Sequence, residues 1–266
     1  ENLKTILENH SKHISFIQLA SRKEDTLSFI NHYGSIIKNN FQVIENPLSA
    51  EIQIPESFTT ITVPQSGIDF INLPNMLINF KDVSISYGEK KILNSINWTV
   101  NKGDFWQLSG TNGSGKSTIL SMIFGDNPKA YGQNIHLFGS KKGSGESVWD
   151  IKKKIGYYAP AMTDKFSGRH SIENMLISGL NDSVGLYVKP TAFQQRIIKQ
   201  WLALLDLSDI KNTFFNALST GKQRLVMTAR AMVKQPPLLI LDEPTAGMDD
   251  DSAALLVALV NKFAEE

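Results

Sequence analysis

Gly110-Thr111-Asn112-Gly113-Ser114-Gly115-Lys116-Ser117-Thr118 is the stretch whose reading decides the fold. It fits the pattern G-x-x-x-x-G-K-[ST] at every position. Glycines let a backbone approach a ligand closely and adopt positive φ. Successive N–H groups then point inward as an anion nest, and a following helix adds partial positive charge at its N-terminus. Lys116 has the reach for β- and γ-phosphates, and the Ser117 hydroxyl suits Mg²⁺. The pattern needs a strand before it and a helix after it. Gly103 to Ser109 reads as a turn and then a short buried strand, and Ile119 to Phe124 as an amphipathic helix ending at Gly125. The stretch is therefore expected to cradle the phosphates of a nucleotide.

Working outward, the chain of 266 residues is long enough for one large domain or two smaller ones. Its hydrophobic content of 41% supports a real core. A net charge of +1 gives no electrostatic pull towards nucleic acid. The absence of cysteine excludes disulfides and thiolate metal sites and fits a reducing compartment. No apolar run reaches the roughly 18 residues of a membrane span.

Residues 1–45 look like the end of an α/β domain, with a helix at Leu3–Asn9, a strand at Ile14–Ala20, a helix at Glu24–Asn31 and a strand at Tyr33–Lys38. So few elements cannot bury a core alone. Residues 46–76 carry Pro47, Pro55, Pro64 and Pro74 and read as an extended linker or as an irregular domain edge. Alternation from Ile78 to Tyr87, a turn at Gly88-Glu89, and a second run from Lys91 to Val100 predict an antiparallel pair of strands. His136–Phe138 is a short strand, and Lys141–Ser147 a hairpin loop or a disordered tip. Lys152–Tyr158 reads as a helix end entering a strand. Phe193–Leu205 repeats apolar residues at helical spacing, and Ser219 is a good N-cap for a helix stopped by Pro236-Pro237. Leu238–Leu241 reads as a buried strand, and Ser252–Phe263 as a last helix.

That strand ends in Asp242-Glu243. Downstream of a phosphate loop, such an ending suits Mg²⁺ held by Asp242 opposite Ser117, with Glu243 polarising the attacking water as a general base. The plainer alternative is a pair of solvated acids at a strand end.

From residue 78 onward, four motifs in order give the chain a family resemblance. They are the phosphate loop; Leu218-Ser219-Thr220-Gly221-Lys222; the strand ending in Asp242-Glu243; and Ala246-Gly247-Met248-Asp249. The chain resembles ATP-binding cassette ATPases. The resemblance implies an α/β P-loop NTPase with a mixed sheet and helices, an antiparallel β subdomain, and a helical signature subdomain at about 167–235. It implies ATP and Mg²⁺ as ligands, Lys116 and Glu243 as catalytic, and Tyr87 as the aromatic that stacks on adenine. It also implies that Ser219, Thr220, Gly221 and Lys222 cap the nucleotide held by a second cassette. The family suggests a transmembrane permease as a further partner and a cytoplasmic location that can be peripheral to the membrane; the near-zero net charge and the lack of a basic-aromatic stripe argue against direct nucleic-acid binding.

The pattern has departures. Thr220 replaces the first signature glycine and Lys222 the final glutamine. The glutamine expected after Ile155–Tyr158 is replaced by Ala159-Pro160-Ala161, and no histidine follows His170. Residues 16–25 are similar to the end of a preceding cassette, with Ser21 where its histidine would stand. The expected order is therefore a cassette tail at 1–45, a linker at 46–76, and a second cassette at 77–266 that stops before its terminal strand. With the run Ser167–Asn174, these traits are most similar to the tandem molybdenum-transport-associated ATP-binding proteins, also called photorepair proteins. Three roles remain open: an ATPase linked to transport of an oxyanion such as molybdate, an ATP-dependent adaptor with little turnover, and a nucleic-acid-linked ATPase.

Overall fold

The alternation read between residues 76 and 101 builds one wall of the molecule. In this computed structural model, which describes residues 33–37, 40–44, 54–70, 72–166 and 168–265, β3 (Met76–Tyr87) pairs antiparallel with β4 (Lys90–Asn101). Tyr87 stands opposite Lys90, and Gly88 takes the positive φ that a two-residue hairpin turn requires. β5 (Ile135–Leu137) and β6 (Ser140–Lys141) extend the sheet in the order β4-β3-β5-β6. One face buries Ile78, Phe80, Val83 and Ile85 against Met122, Ile123 and Phe124 of α2 (Lys116–Phe124). Each such side chain contributes about 1.5–3 kcal/mol when fully buried.

Nearer the N-terminus, β1 (Tyr33–Ile37) and β2 (Asn40–Ile44) form an antiparallel hairpin, with Tyr33 opposite Ile44. The expected strand at 33–38 is present, and its partner falls where no element was expected. The elements expected at 3–9, 14–20 and 24–31, and Ser21, lie outside the described residues.

α1 (Ser57–Thr60) falls inside the stretch read as linker. Phe58 and Val63 are buried in the helical core, and the Ser57 hydroxyl donates to the carbonyl of Leu204 at 2.8 Å. The prolines signalled a break in regular structure, yet among the described residues of this stretch Phe58 and Val63 pack against the helical core.

After α3 (Val148–Lys153), β7 (Ile155–Tyr158) and β8 (Leu238–Leu241) form a separate two-stranded sheet. β7 and β8 are parallel, Ile155 opposite Leu238 and Tyr158 opposite Leu241. Ser147 opens α3 with a capping box to Asp150, so residues 141–147 form an ordered hairpin-and-cap connection.

Against this sheet lies the helical layer of α4 (Ile172–Leu180), α5 (Ala192–Leu204), α6 (Thr220–Met232) and α7 (Asp250–Glu265). The apolar stripe expected on 193–205 is the buried one: Ile197, Ile198, Trp201 and Leu202 all enter the core. α6 is buried from Leu225 through Met232, which makes it the central rod of the layer. Among the described residues no helix is long and apolar enough to cross a membrane.

Two expectations need correction. Residues 104–109 are not a buried strand: they have no regular structure, and Phe105 is 80% exposed. β8 is only partly buried along its whole length. The causes are joined. Among the described strands β8 pairs only with β7, so neither its far edge nor residues 104–109 have a ladder to complete.

Candidate functional site

The phosphate loop follows the unpaired segment directly, and its shape is set by backbone rather than side chains. Gly115 takes φ +103°. A Cβ there would stand 2.7 Å from Leu93 Cδ2 and 3.3 Å from the Ile92 carbonyl, so glycine is required both by dihedral and by space. Gly115 also caps α2 without any side-chain hydrogen bond, which leaves the first-turn N–H groups open to a ligand. The Lys116 ammonium is folded over the loop, donating to the carbonyls of Gly110 at 2.5 Å and Thr111 at 3.2 Å.

A cleft of about 390 Å³ opens beside the loop. Asn112, Gly113, Ser114, Gly115, Lys116, Ser117 and Thr118 line one side. Asp242 and Glu243, at the end of β8, line another, and Tyr87, at the end of β3, stands at the rim with Lys90 and Ile92. Residues from four separate stretches thus share one space. Gly110 and Thr111 contribute through the carbonyls that hold Lys116.

β8 places its acids by pairing with β7: the Asp242 N–H donates to the Tyr158 carbonyl at 2.8 Å, extending the parallel ladder by one residue. Glu243 then turns out of the strand with φ +46°, a left-handed conformation that costs a non-glycine residue about 1–2 kcal/mol. Behind the acids, burial pushes the Tyr157 phenol up, and the carboxylates of Asp242 and Asp126 push it further. That ring stays neutral at ordinary pH and packs on Phe124 with centroids 4.1 Å apart.

The residues able to hold a divalent cation are few. Among the described residues no group of three or more His, Asp or Glu converges. Ser117 and Asp242 offer hard oxygen donors to one cleft, which suits Mg²⁺ completed by phosphate and water.

The signature-like residues lie elsewhere. Ser219 caps α6, its hydroxyl accepting from the Lys222 N–H at 3.4 Å. Thr220 lines a separate cleft of about 330 Å³ with Pro160, Asp164, Gln223 and Arg224. Gly221 is pressed by the start of α7: a Cβ on it would lie 2.2 Å from the Ser252 hydroxyl and 3.6 Å from an Asp249 carboxylate oxygen. Asp249 accepts from both the N–H and the hydroxyl of Ser252. Sequence reasoning missed Ile92 and Lys90 at the rim, and Pro160, which lines both clefts at the place of the expected glutamine. Only the two-residue hairpin, which folds β4 back beside Tyr87, pointed to the first two.

A phosphate loop that opens a helix and faces an acid-tipped parallel strand, with a separate helical layer, is the arrangement of a P-loop cassette ATPase. Residues 93–246 match the family model described as ABC transporter, and the chain belongs to this ABC family, whose cassettes are hydrolases acting on ATP. It is 32% identical over 271 residues to the ABC transporter ATP-binding protein ModF of Escherichia coli K12, covering 97% of this chain and 55% of that protein. It is 34% identical over 253 residues to an uncharacterized ABC transporter ATP-binding protein of Schizosaccharomyces pombe, covering 93% of this chain and 52% of that one. The chain therefore spans about half the length of both relatives. Among solved structures it resembles cbiO1 of Clostridium perfringens, part of the ABC transporter complex cbiONQ. There the TM-score is 0.57 at 22% identity, over 72% of this chain and 75% of the other, and the likeness carries the fold alone.

Proposed function

We propose that this cassette binds MgATP between the phosphate loop and the end of β8, and that it hydrolyses ATP when a second cassette closes over the cleft. The carrying observation is the convergence of Tyr87, Lys116, Ser117, Asp242 and Glu243 on one cleft from distant parts of the chain. Tyr87 would stack on adenine, and the open N–H groups at the start of α2, from Lys116 to Thr118, would cradle the phosphates. Lys116 would exchange its loop carbonyls for β- and γ-phosphate oxygens. Ser117 and Asp242 would hold Mg²⁺, which supplies neutralisation of phosphate charge when bound. Glu243 would accept a proton from the attacking water. Ser219, Thr220, Gly221 and Lys222 lie outside this cleft, which supports their acting on the nucleotide of a partner cassette rather than their own.

Glu243→Gln tests the reading: ATP turnover should fall at least about 100-fold, in line with loss of a general base, while ATP binding is kept. Unchanged turnover would overturn it. At the finer level, the tandem order read from the sequence supports a role in transport of an oxyanion such as molybdate, with this cassette at the cytoplasmic face of a membrane beside a transmembrane permease. One observation favours the adaptor reading instead: Pro160 lines the cleft where a glutamine was expected and brings no amide to it. ATP-driven dimerisation without turnover would select that reading.

A further inference from the structure

Tyr87 is 48% exposed and sits on the last residue of a strand, next to a turn. A side chain so placed would ordinarily sample several rotamers and make a poor platform. Here it is held. Asn127, only 5% exposed, donates from its side-chain amide to the Tyr87 hydroxyl at 3.1 Å and to the Ser121 hydroxyl at 3.1 Å. The same side chain accepts from the Lys129 N–H at 3.0 Å, and the Asn127 N–H donates to the Ser121 carbonyl at 3.1 Å. Ser121 in turn donates to the carbonyl of Thr118, directly after the last motif residue Ser117, at 2.8 Å. Lys129 sets its ammonium over the Tyr87 ring, 5.0 Å from the centroid. Residues 127–129 thus grip the ring by its hydroxyl and by a face, and are tied to α2 at the other end.

We infer that Asn127 is a positioning residue that fixes Tyr87 at a set distance from the phosphate loop, so that the span between base and phosphates is ready before nucleotide arrives. The inference rests on the reading of this cleft as the ATP site. Preorganisation of this kind raises affinity by removing an ordering cost, and it acts only on ligands that carry a base.

The test compares ATP with inorganic tripolyphosphate, which lacks the base, by calorimetric titration. Tyr87→Phe keeps the ring and removes the hydrogen-bonded oxygen. It should weaken ATP binding about five-fold, the size of one net hydrogen bond, and leave tripolyphosphate unchanged. Asn127→Leu should give the same split, and the double variant should lose no more than either single one, because both cut the same bond. If both single variants bind ATP as the native chain does, or if Asn127→Leu weakens both ligands alike, Asn127 does not position the platform. Tyr87→Phe alters an exposed side chain and keeps the question answerable should Asn127→Leu fail to fold. A native chain that binds neither ligand would overturn the nucleotide reading itself.

Discussion

Helices α2 and α6 begin in opposite ways. α2 starts at Gly115, at positive φ and without a side-chain cap. α6 starts at Ser219, whose hydroxyl takes up one of its first N–H groups. Every helix leaves about four N–H groups unpaired at its start. α6 satisfies one of them itself, whereas α2 leaves the task to whatever enters the cleft. The far end of α6 is also secured. Arg230 donates to the Ser178 hydroxyl at 2.9 Å and the Ser183 carbonyl at 2.8 Å, while Lys234 pairs with Asp182 and donates to the Lys152 carbonyl at 3.0 Å. Burial lowers the Arg230 guanidinium to about 10, against the opposing pull of Asp182, and it remains charged at neutral pH. The binding helix is left incomplete and the scaffold helix is finished at both ends.

Gly115→Ala should break this contrast hardest. Left-handed strain and the contact with Leu93 together exceed about 3 kcal/mol, so ATP affinity should fall by ~100-fold or more. Titration with a fluorescent ATP analogue reads the loss, and near-native affinity would mean that the loop does not depend on that backbone geometry. Asp182→Ala comes next and strikes the finished end of α6. It leaves Lys234 and Arg230 short of a counter-charge and should cost ~2 kcal/mol in urea unfolding, below the range for a fully buried pair because the Asp182 side chain is 31% exposed. ATP affinity of the folded variant should stay native, and a matching loss of affinity would show that α6 and the cleft are coupled. Ser219→Ala has the smallest expected effect. A cap at 3.4 Å is long, so stability should drop only ~0.5 kcal/mol. Binding to the chain's own cleft should stay within about two-fold, and a larger drop would place Ser219 in that cleft after all.

What could be read from the chain alone follows from how local each cause is. The phosphate loop was legible because its geometry is written in glycine positions a few residues apart. Helix α6 was legible from Ser219, from its apolar spacing and from Pro236-Pro237. Residues 104–109 misled because their apolar pattern records what a strand would bury, while pairing depends on a neighbouring strand that the segment itself does not encode. The segment around Phe58 misled for the opposite reason: prolines mark the absence of regular structure, not the absence of packing. The bond between Asn127 and Tyr87 spans 40 residues and rests on two common residue types, so nothing in either stretch announces it. Pro160 was noticed as a missing glutamine, but its place between the two clefts emerged only from the packing of the turn that follows β7.

The aromatic stack beside the loop has a practical side. Of the four tryptophans, Trp106 is 58% exposed four residues before the phosphate loop, and its ring meets Trp98 edge-on with centroids 5.8 Å apart. Trp201 is wholly enclosed in the helical layer, and Trp149 stands 67% exposed on α3. Emission from the enclosed indole lies to the blue and that from the wet ones to the red. Events at the loop and melting of the helices will therefore colour different parts of one spectrum, and the protein carries its own optical reporters for both.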